Sequence, residues 1–328
     1  MYCHAERSEA SPRGERRSFA IAQDDTCQNQ CGDAPVLGQS GGDTDPLKDV
    51  DEAGAALEQE YPLVRPYSRY AGLYDELGQS DFGRAMMPLV DLTLGRHPLL
   101  GNKVLDLACG TGTVATLLTQ RGYEVTGVDR SGEMLEVARA KARKAGVEVD
   151  FLQRDMVRLQ MVQRFDLVLC LYDSLNYLLS QSELEAAFAA VARLLNVGGV
   201  FLFDMNTLHC LANDWGNQVV EERCPSALLV HQYSFSSESR IGTLELICLF
   251  NRPDRIEKFR EIHRERGYTR EEIGAALKAC SLVALEEMSF PDLVEPDDDA
   301  SRLICVATRP QPAPSKRKPG LVIESGRR

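Results

Sequence analysis

Between Val104 and Thr308 the apolar positions switch repeatedly between short continuous runs and a spacing of three to four residues. Val104 to Ala108 and Val125 to Val128 are short apolar runs, each followed by a Gly or Ser turn and then a helical pattern, which predicts strand–helix–strand units. Ser131 can cap a helix whose Met134, Val137, Ala138 and Ala142 share one face at i, i+3, i+4 and i+8. Phe165 to Leu171 is almost wholly apolar, as a parallel strand covered on both faces must be, so it is expected centrally. Ser182 to Glu185 reads as a capping box opening a helix with Leu184, Phe188, Val191 and Leu195 inward, ended by Gly198-Gly199. Val200 to Asp204 then reads as a strand. A second capping box, Thr269 to Glu272, opens a helix with Ile273, Ala276 and Leu277 inward, and Leu282 to Glu286 and Leu303 to Thr308 read as closing strands. The pattern predicts a doubly wound α/β domain.

One stretch breaks the alternation. The 64 residues between Asp204 and Thr269 exceed any ordinary strand–helix loop and contain strand-like Ala227 to Phe235 and Thr243 to Phe250. They predict a small antiparallel β insertion, at about 217–266, on whose first strand Leu229, His231, Tyr233 and Phe235 alternate onto one face. Ile256 to Arg266 fits helix or strand equally by period.

Composition narrows the classes. The chain has 328 residues, 44% hydrophobic and 26% charged, and no apolar run nears the ~18 residues of a membrane-spanning helix, so a soluble protein is expected. A formal charge of −12 gives a polyanion nothing to bind, so neither nucleic acid nor a membrane is an expected partner. The ten cysteines are scattered, Cys27 and Cys31 have no matching second pair, and no secretion signal opens the chain; reduced thiols, no metal site and a cytoplasmic location are expected. Residues 1–50 are polar and aperiodic and predict disorder, as do residues 310–328 with their basic Lys316-Arg317-Lys318. The opening Cys3 to Ser11 resembles a segment translated from an interspersed DNA repeat, which implies an extension foreign to the folded part, 51–309. Nothing in the sequence decides the oligomeric state.

Asp106-Leu107-Ala108-Cys109-Gly110-Thr111-Gly112 follows a strand and opens a helix, where α/β sheets bind nucleotides. Glycines there admit a ligand close to the backbone, and Asp129 at the end of the next strand can accept from both ribose hydroxyls. A nicotinamide dinucleotide and a methionine-type nucleoside both satisfy this much. Asp106 discriminates: an anion at that strand end opposes a pyrophosphate and suits a cationic ligand.

These residues resemble class I S-adenosylmethionine-dependent methyltransferases. Val104 to Gly112 is similar to their first motif, Gly127-Val128-Asp129-Arg130-Ser131 with Met134-Leu135 to their second, Arg154-Asp155-Met156 to the acidic loop after strand three, and Phe165-Asp166-Leu167-Val168 with Gly198-Gly199 to their fourth and fifth landmarks. The resemblance, from about Tyr67 to Thr308, implies a Rossmann-like seven-stranded sheet with the insertion after strand five. It implies S-adenosyl-L-methionine as cofactor, surrounded by Asp106, Ala108, Gly110 and Gly112, with Asp129 and Arg130 at the ribose, Met134 on adenine, Asp155 and Met156 at its edge, and Leu171 and Tyr74 completing the site. Two other classes stay open beside it, a nicotinamide-dependent oxidoreductase and a non-catalytic S-adenosylmethionine-binding module.

On the acceptor side, Tyr67 to Asp75 resembles the Ala-x-x-Tyr-Asp lid segment of small-molecule methyltransferases, including amino-sugar N-methyltransferases, which implies that Tyr70 and Tyr74 cover the ligand. The Asn-Pro-Pro-Tyr tetrapeptide of base and amide methylation is missing after the fourth strand; Leu171 to Tyr177 resembles the small-molecule group instead, with Ser174 and Asn176 lining the pocket. In that subgroup Phe259 to Arg266 is the third strand of the insertion. His231 and Tyr233 are the expected substrate contacts there, with His231 the one weak candidate for a base, and His263 and Arg264 rank below them. The expected acceptor is a small molecule, methylated on nitrogen or oxygen.

Overall fold

The computed structural model describes residues 60–223, 226–252 and 254–311. β1 (Leu63–Val64) leads through a 3-10 turn at Tyr70–Gly72 into helices α1 (Asp81–Ala85) and α2 (Met87–Arg96). Then come β2 (Lys103–Leu107), α3 (Thr113–Gln120), β3 (Glu124–Asp129), α4 (Gly132–Ala145), β4 (Asp150–Gln153), β5 (Phe165–Cys170), α5 (Gln181–Leu194) and β6 (Leu195–Asn206). After a π-helical turn at Cys210–Trp215 follow β7 (Val219–Arg223), β8 (Ala227–Ser236), β9 (Ile241–Asn251) and β10 (Ile256–Arg266). Helix α6 (Arg270–Ala279), β11 (Val283–Ser289) and β12 (Arg302–Thr308) close the fold. The expected disorder of 1–50, and of 310–328 beyond its first two residues, falls outside the described residues.

The main sheet has seven strands in the order β11-β12-β6-β5-β2-β3-β4, all parallel except β12, which runs antiparallel to both neighbours. Every residue of β5 is buried, as its unbroken apolar run requires. Alternate residues face opposite layers. Phe165, Val168 and Cys170 pack with Phe188, Phe201 and Phe203 under α5 and α6, whereas Leu167 and Leu169 pack with Val90, Leu118 and Leu135 under α2, α3 and α4. Each such large side chain stabilises the fold by roughly 1.5–3 kcal/mol. The chain passes from β2 outward to β4, then returns to place β5 on β2's other side. This reversal opens a crevice at the carboxyl ends of β2 and β5, where doubly wound sheets take ligands.

Two local readings are corrected. Ser180, not Ser182, caps α5: its Oγ accepts the Glu183 N–H, and Glu183 Oε2 accepts the Ser180 N–H at 3.1 Å. Ser180 is the residue with extended backbone before the helix, which the box requires. The helix also ends at Leu194, ahead of the glycines. Leu195 already pairs with Phe165, so Gly198-Gly199 lie inside β6, where a Cβ on Gly199 would meet the Asn196 carbonyl at 2.9 Å and the Asp166 carbonyl at 3.1 Å.

The insertion is larger than a hairpin and one strand. β7, β8, β9 and β10 form an antiparallel sheet, and β1 joins it in parallel through Leu63↔Arg260 and Val64↔Glu261. β7 escaped notice because four of its five residues are exposed and carry no period, and β1 because it has two residues. Ile256–Arg266 is strand throughout. On the inner face, Leu229, Leu246, Cys248 and Phe259 receive Tyr70, Leu73 and Leu77 from the segment after β1, clamping that segment to the small sheet.

Candidate active site

The loop after β2 adopts its shape through residues of positive φ, Ala108 (58°), Gly110 (53°) and Gly112 (70°). A Cβ on Gly112 would lie 2.8 Å from Phe151 Cζ and 2.9 Å from Ala138 Cβ, so this glycine lets α3 seat against β4 and α4. A Cβ on Gly110 would meet nothing within 4 Å; that glycine opens onto space. The Asp129 carboxylate braces the loop, Oδ2 accepting from Gly110 N–H and Oδ1 from Ser131 N–H, both at 2.8 Å. Each oxygen thus keeps one lone-pair direction for a ligand, and burial raises the Asp129 pKa despite these bonds. Ser131 Oγ in turn caps α4 through Met134 N–H at 3.1 Å.

Asp106 stands apart. It is 3% exposed, its Oδ2 has no hydrogen-bond partner among the described residues, and its pKa is pushed up to about 7, chiefly by burial, with the Asp129 charge adding to it. A buried acid without a cation is costly, and the cost vanishes when a cation arrives. Met134 is buried nearby on α4, and Arg130 is exposed, its carbonyl accepting from Gln153 Nε2. Asp155 is exposed and spends one oxygen on Val157 N–H at 2.8 Å, capping the turn in which half-buried Met156 sits. Leu171, buried, directly follows β5.

The second half of the site is assembled from distant parts of the chain. After Leu171, Tyr172 (φ 63°) and Asp173 (φ 46°) both hold a conformation unfavourable to side chains other than glycine. Asp204, at the end of β6, holds them there by accepting Tyr172 N–H at 2.6 Å and Asp173 N–H at 3.1 Å. Arg302 of β12 pairs with Asp204 through Nη1 and with Asp173 Oδ1 through Nη2 at 2.7 Å, and lies over the Phe82 ring on which Tyr172 stacks at 4.4 Å. Glu265 of β10 accepts from Asn206 Nδ2 at 2.8 Å and is hydrogen-bonded to Asp173; burial and then the Asp173 charge raise its pKa far above the usual carboxylate range.

The lid segment closes the group. Glu261, fully buried on β10, accepts the backbone N–H groups of Tyr67 (2.6 Å), Arg69 (3.2 Å) and Tyr70 (3.2 Å). At the other end of the segment, Asp75 accepts from Thr111 Oγ1 at 2.7 Å and from Lys141 Nζ at 2.9 Å, and Lys141 also reaches Thr111 and Thr113. The lid is thereby tied to both the insertion and the glycine loop. Tyr67 and Tyr74 meet edge to face at 6.2 Å, and both phenols are held far above their ordinary pKa by burial.

Several residues expected at the acceptor take other places. Tyr70 is 6% exposed and packs into the insertion's core, its ring 5.9 Å from that of Tyr74. Ser174 Oγ donates to the Leu171 carbonyl at 2.9 Å, a local turn. Asn176 is fully buried and spends its amide on backbone, Nδ2 donating to Asn206 and Arg266 carbonyls and Oδ1 accepting Asn206 N–H; it fastens β6 to β10. His231 and Tyr233 do share the inner face, 6.2 Å apart, with Trp215 against Tyr233 at 5.2 Å. Burial, then the nearby His263, pushes His231 down to about 4, so it is a neutral and weak base, while Tyr233 is pushed up to about 12 by burial. Arg264 points away and is exposed. Sequence reasoning passed over Tyr67, Asp173, Tyr177, Glu261, Glu265 and Arg302. Glu261, His263 and Glu265 recur at period two beside apolar Phe259, which marks charged groups on an inner sheet face.

The sequence profile of the family described as "Methyltransferase domain" matches residues 104–199. Two bacterial relatives both carry the name "Putative methyltransferase". That of Bacillus subtilis strain 168, YqeM, is 30% identical over 246 residues, 74% of this chain and 97% of its own length. That of Geobacillus sp. strain WCH70 is 38% identical over 144 residues, 44% of this chain, which there spans 58% of the relative's length. Among solved structures, an S-adenosylmethionine-dependent methyltransferase from Clostridium acetobutylicum ATCC 824 is similar at a TM-score of 0.68 and 26% identity, over 75% of this chain and 99% of that one. The residues present fit S-adenosylmethionine: Asp106 offers a buried unpartnered oxygen to a cation, and Gly110 leaves room beside it.

Proposed function

The chain belongs to the class I S-adenosylmethionine-dependent methyltransferases, and we propose that it methylates a small soluble molecule at a nitrogen or oxygen atom. One observation carries the acceptor class. Tyr67, Tyr74, Tyr172, Asp173, Tyr177 and Glu265, drawn from the lid, the loop after β5 and the insertion, surround one another in an enclosed, buried group. Buried polar groups gathered under a lid suit a small polar molecule, and the charge of −12 disfavours nucleic acid.

Bound S-adenosylmethionine supplies a methyl group on a cationic sulfur. Asp106, Ala108, Gly110 and Gly112 form the bed for its amino acid end, Asp129 and Arg130 flank the ribose, and Met134, Asp155, Met156 and Leu171 frame the base, with Tyr74 above. Asp106 neutralises positive charge in a dry environment, and the lid excludes water from the reacting centre. On the acceptor side we assign Tyr74, Asp173, His231 and Tyr233 as lining, with Tyr70, Ser174 and Asn176 fixing the walls. Residues 51–309 form the methyltransferase domain in this reading, and the cytoplasm is its place. No helix among the described residues is long and apolar enough to cross a membrane.

The test is transfer of labelled methyl from S-adenosylmethionine to a panel of small amines, phenols and alcohols. Methylated product, lost in Asp106→Asn, is expected. Turnover of NAD with hydroxy acids, or tight S-adenosylhomocysteine binding without transfer to any acceptor, overturns the proposal.

A further inference from the structure

Three groups beneath the lid are joined by hydrogen bonds, and a fourth, a carboxylate, lies close behind them. Tyr67 Oη lies 2.6 Å from Tyr177 Oη and Tyr177 Oη lies 2.9 Å from His263 Nδ1, both as hydrogen bonds, whereas His263 Nε2, 3.4 Å from Glu261 Oε2, has no hydrogen-bond partner among the described residues. They come from three separated parts of the chain: the lid, the loop after β5, and β10. Glu261 also accepts the Tyr67 N–H at 2.6 Å, which holds Tyr67 at φ 61°, a strained value for a tyrosine, with its phenol turned towards Tyr177. The Tyr67 ring meets the His263 ring edge to face at 4.9 Å. An imidazole that faces a hydroxyl can take its proton, and a carboxylate close behind offsets the charge that results, here through proximity and not through an orienting hydrogen bond.

The geometry points to a proton-accepting relay, Tyr67–Tyr177–His263 backed by Glu261, and so to a hydroxyl as the methyl acceptor. This rests on the methyltransferase reading of the same pocket. An amine attacks through a free electron pair and needs no base at the transfer step, whereas a hydroxyl oxygen must shed its proton as it is methylated. The acceptor O–H proton passes to Tyr67 Oη as that phenol's own proton passes to Tyr177 Oη, and Tyr177's proton passes to His263 Nδ1. The acceptor oxygen would gain the methyl as the donor's sulfur–carbon bond breaks, the electron pair staying on sulfur to leave a neutral thioether, and would lose its proton; both phenols are restored, His263 becomes imidazolium, and Glu261 offsets its charge. Burial keeps both phenols protonated between turnovers, so each can hand on a proton as it takes one. Glu265 and Asp173 face the phenols, and His231 faces His263 from β8. Tyr67 is the catalytic residue; Tyr177 and His263 act through it.

The relay requires one tautomer, with neutral His263 bare at Nδ1 and protonated at Nε2. Nitrogen-15 NMR of the full chain bound to S-adenosylhomocysteine, near pH 8, reads this directly, with the His263 signal assigned by its loss in His263→Gln. A proton on Nδ1 overturns the relay without reference to any acceptor. Labelled methyl transfer to small phenols and alcohols on one side, and small primary amines on the other, then tests the acceptor. We expect the hydroxyl set to be methylated, and Tyr177→Phe to lower kcat at least ~30-fold while acceptor KM and S-adenosylhomocysteine Kd stay within ~3-fold. Equal turnover of amines by wild type and Tyr177→Phe overturns the relay and leaves the methyltransferase reading intact. Transfer to neither set overturns both. Should Tyr177→Phe melt early, Tyr67→Phe carries the same expectation.

Discussion

The two halves of the proposed site are built by different means. The cofactor half is made of near neighbours in sequence, Asp106 to Gly112 with Asp129 and Ser131, and it works largely through backbone. Its conformation comes from glycines and from one carboxylate holding two N–H groups. The acceptor half joins groups far apart in the chain, Tyr67 and Glu261 being 194 residues apart, and it works through buried polar and charged side chains: Arg302 between Asp173 and Asp204, Glu265 on Asn206, Glu261 on the lid. A bed of backbone tolerates changes around it. A web of buried ions does not, because removing one partner strands another.

The largest effect should follow from breaking that web. Arg302→Ala leaves Asp173 and Asp204 facing each other in a buried space and should cost about 3–5 kcal/mol of stability, read from urea unfolding; a loss under about 1 kcal/mol would mean that the cluster is not energetically coupled. Asp106→Asn should do the reverse. S-adenosylhomocysteine, whose ammonium supplies the charge, should bind about 10–100-fold more weakly, because a buried ionic partner is gone, while the ligand-free protein at pH 8 should melt no lower than wild type.

The same carboxyl gives a pH signature of intermediate size. Its folded pKa, about 7, lies above the unfolded value near 3.9, so ionising it penalises the ligand-free fold progressively as pH rises from about 4. A cationic ligand prefers the ionised form, so calorimetric affinity for S-adenosylhomocysteine should rise from pH 5 to 7.5 and flatten above. Asp106→Asn should show no such rise. The smallest effect belongs to the lid's tie. Lys141→Met removes a half-buried partner of Asp75 and should weaken S-adenosylhomocysteine binding about 2–5-fold and speed amide exchange between 67 and 75, with the insertion's exchange unchanged. If the insertion loosened too, the lid's two ties would be one cooperative unit.

The contrast also explains what could be read in advance. β2, β3 and β5 declare themselves through their apolar runs and the glycine loop through its short motif, while the caps at Ser131 and Thr269 have partners only three residues on. The boundaries of α5 were misread for a related reason: Leu195 is apolar enough to continue a helical face, and only its pairing with Phe165 across the sheet makes it strand. Asn176 looked like a pocket residue because its type suits one, and only the fold shows two carbonyls and an N–H consuming its amide. Arg302 begins an ordinary strand, and nothing in its neighbourhood of sequence announces that Asp173 and Asp204 await it. A charge partner such as Arg302, chosen from across the chain, leaves no periodic trace, unlike the period-two acids of β10.

The pairing of β1 with β10, reinforced by Glu261 beneath it, has a consequence for inheritance and engineering. Strand pairing and the Glu261 carboxylate join lid to insertion although roughly 150 residues of chain separate them, so the two segments have to be matched to each other. Grafting residues 219–266 from a relative to change acceptor preference would abandon Tyr67, Arg69 and Tyr70 without their carboxylate. A workable chimera has to transplant 63–75 along with the insertion, and drift in one segment constrains which changes the other can accept.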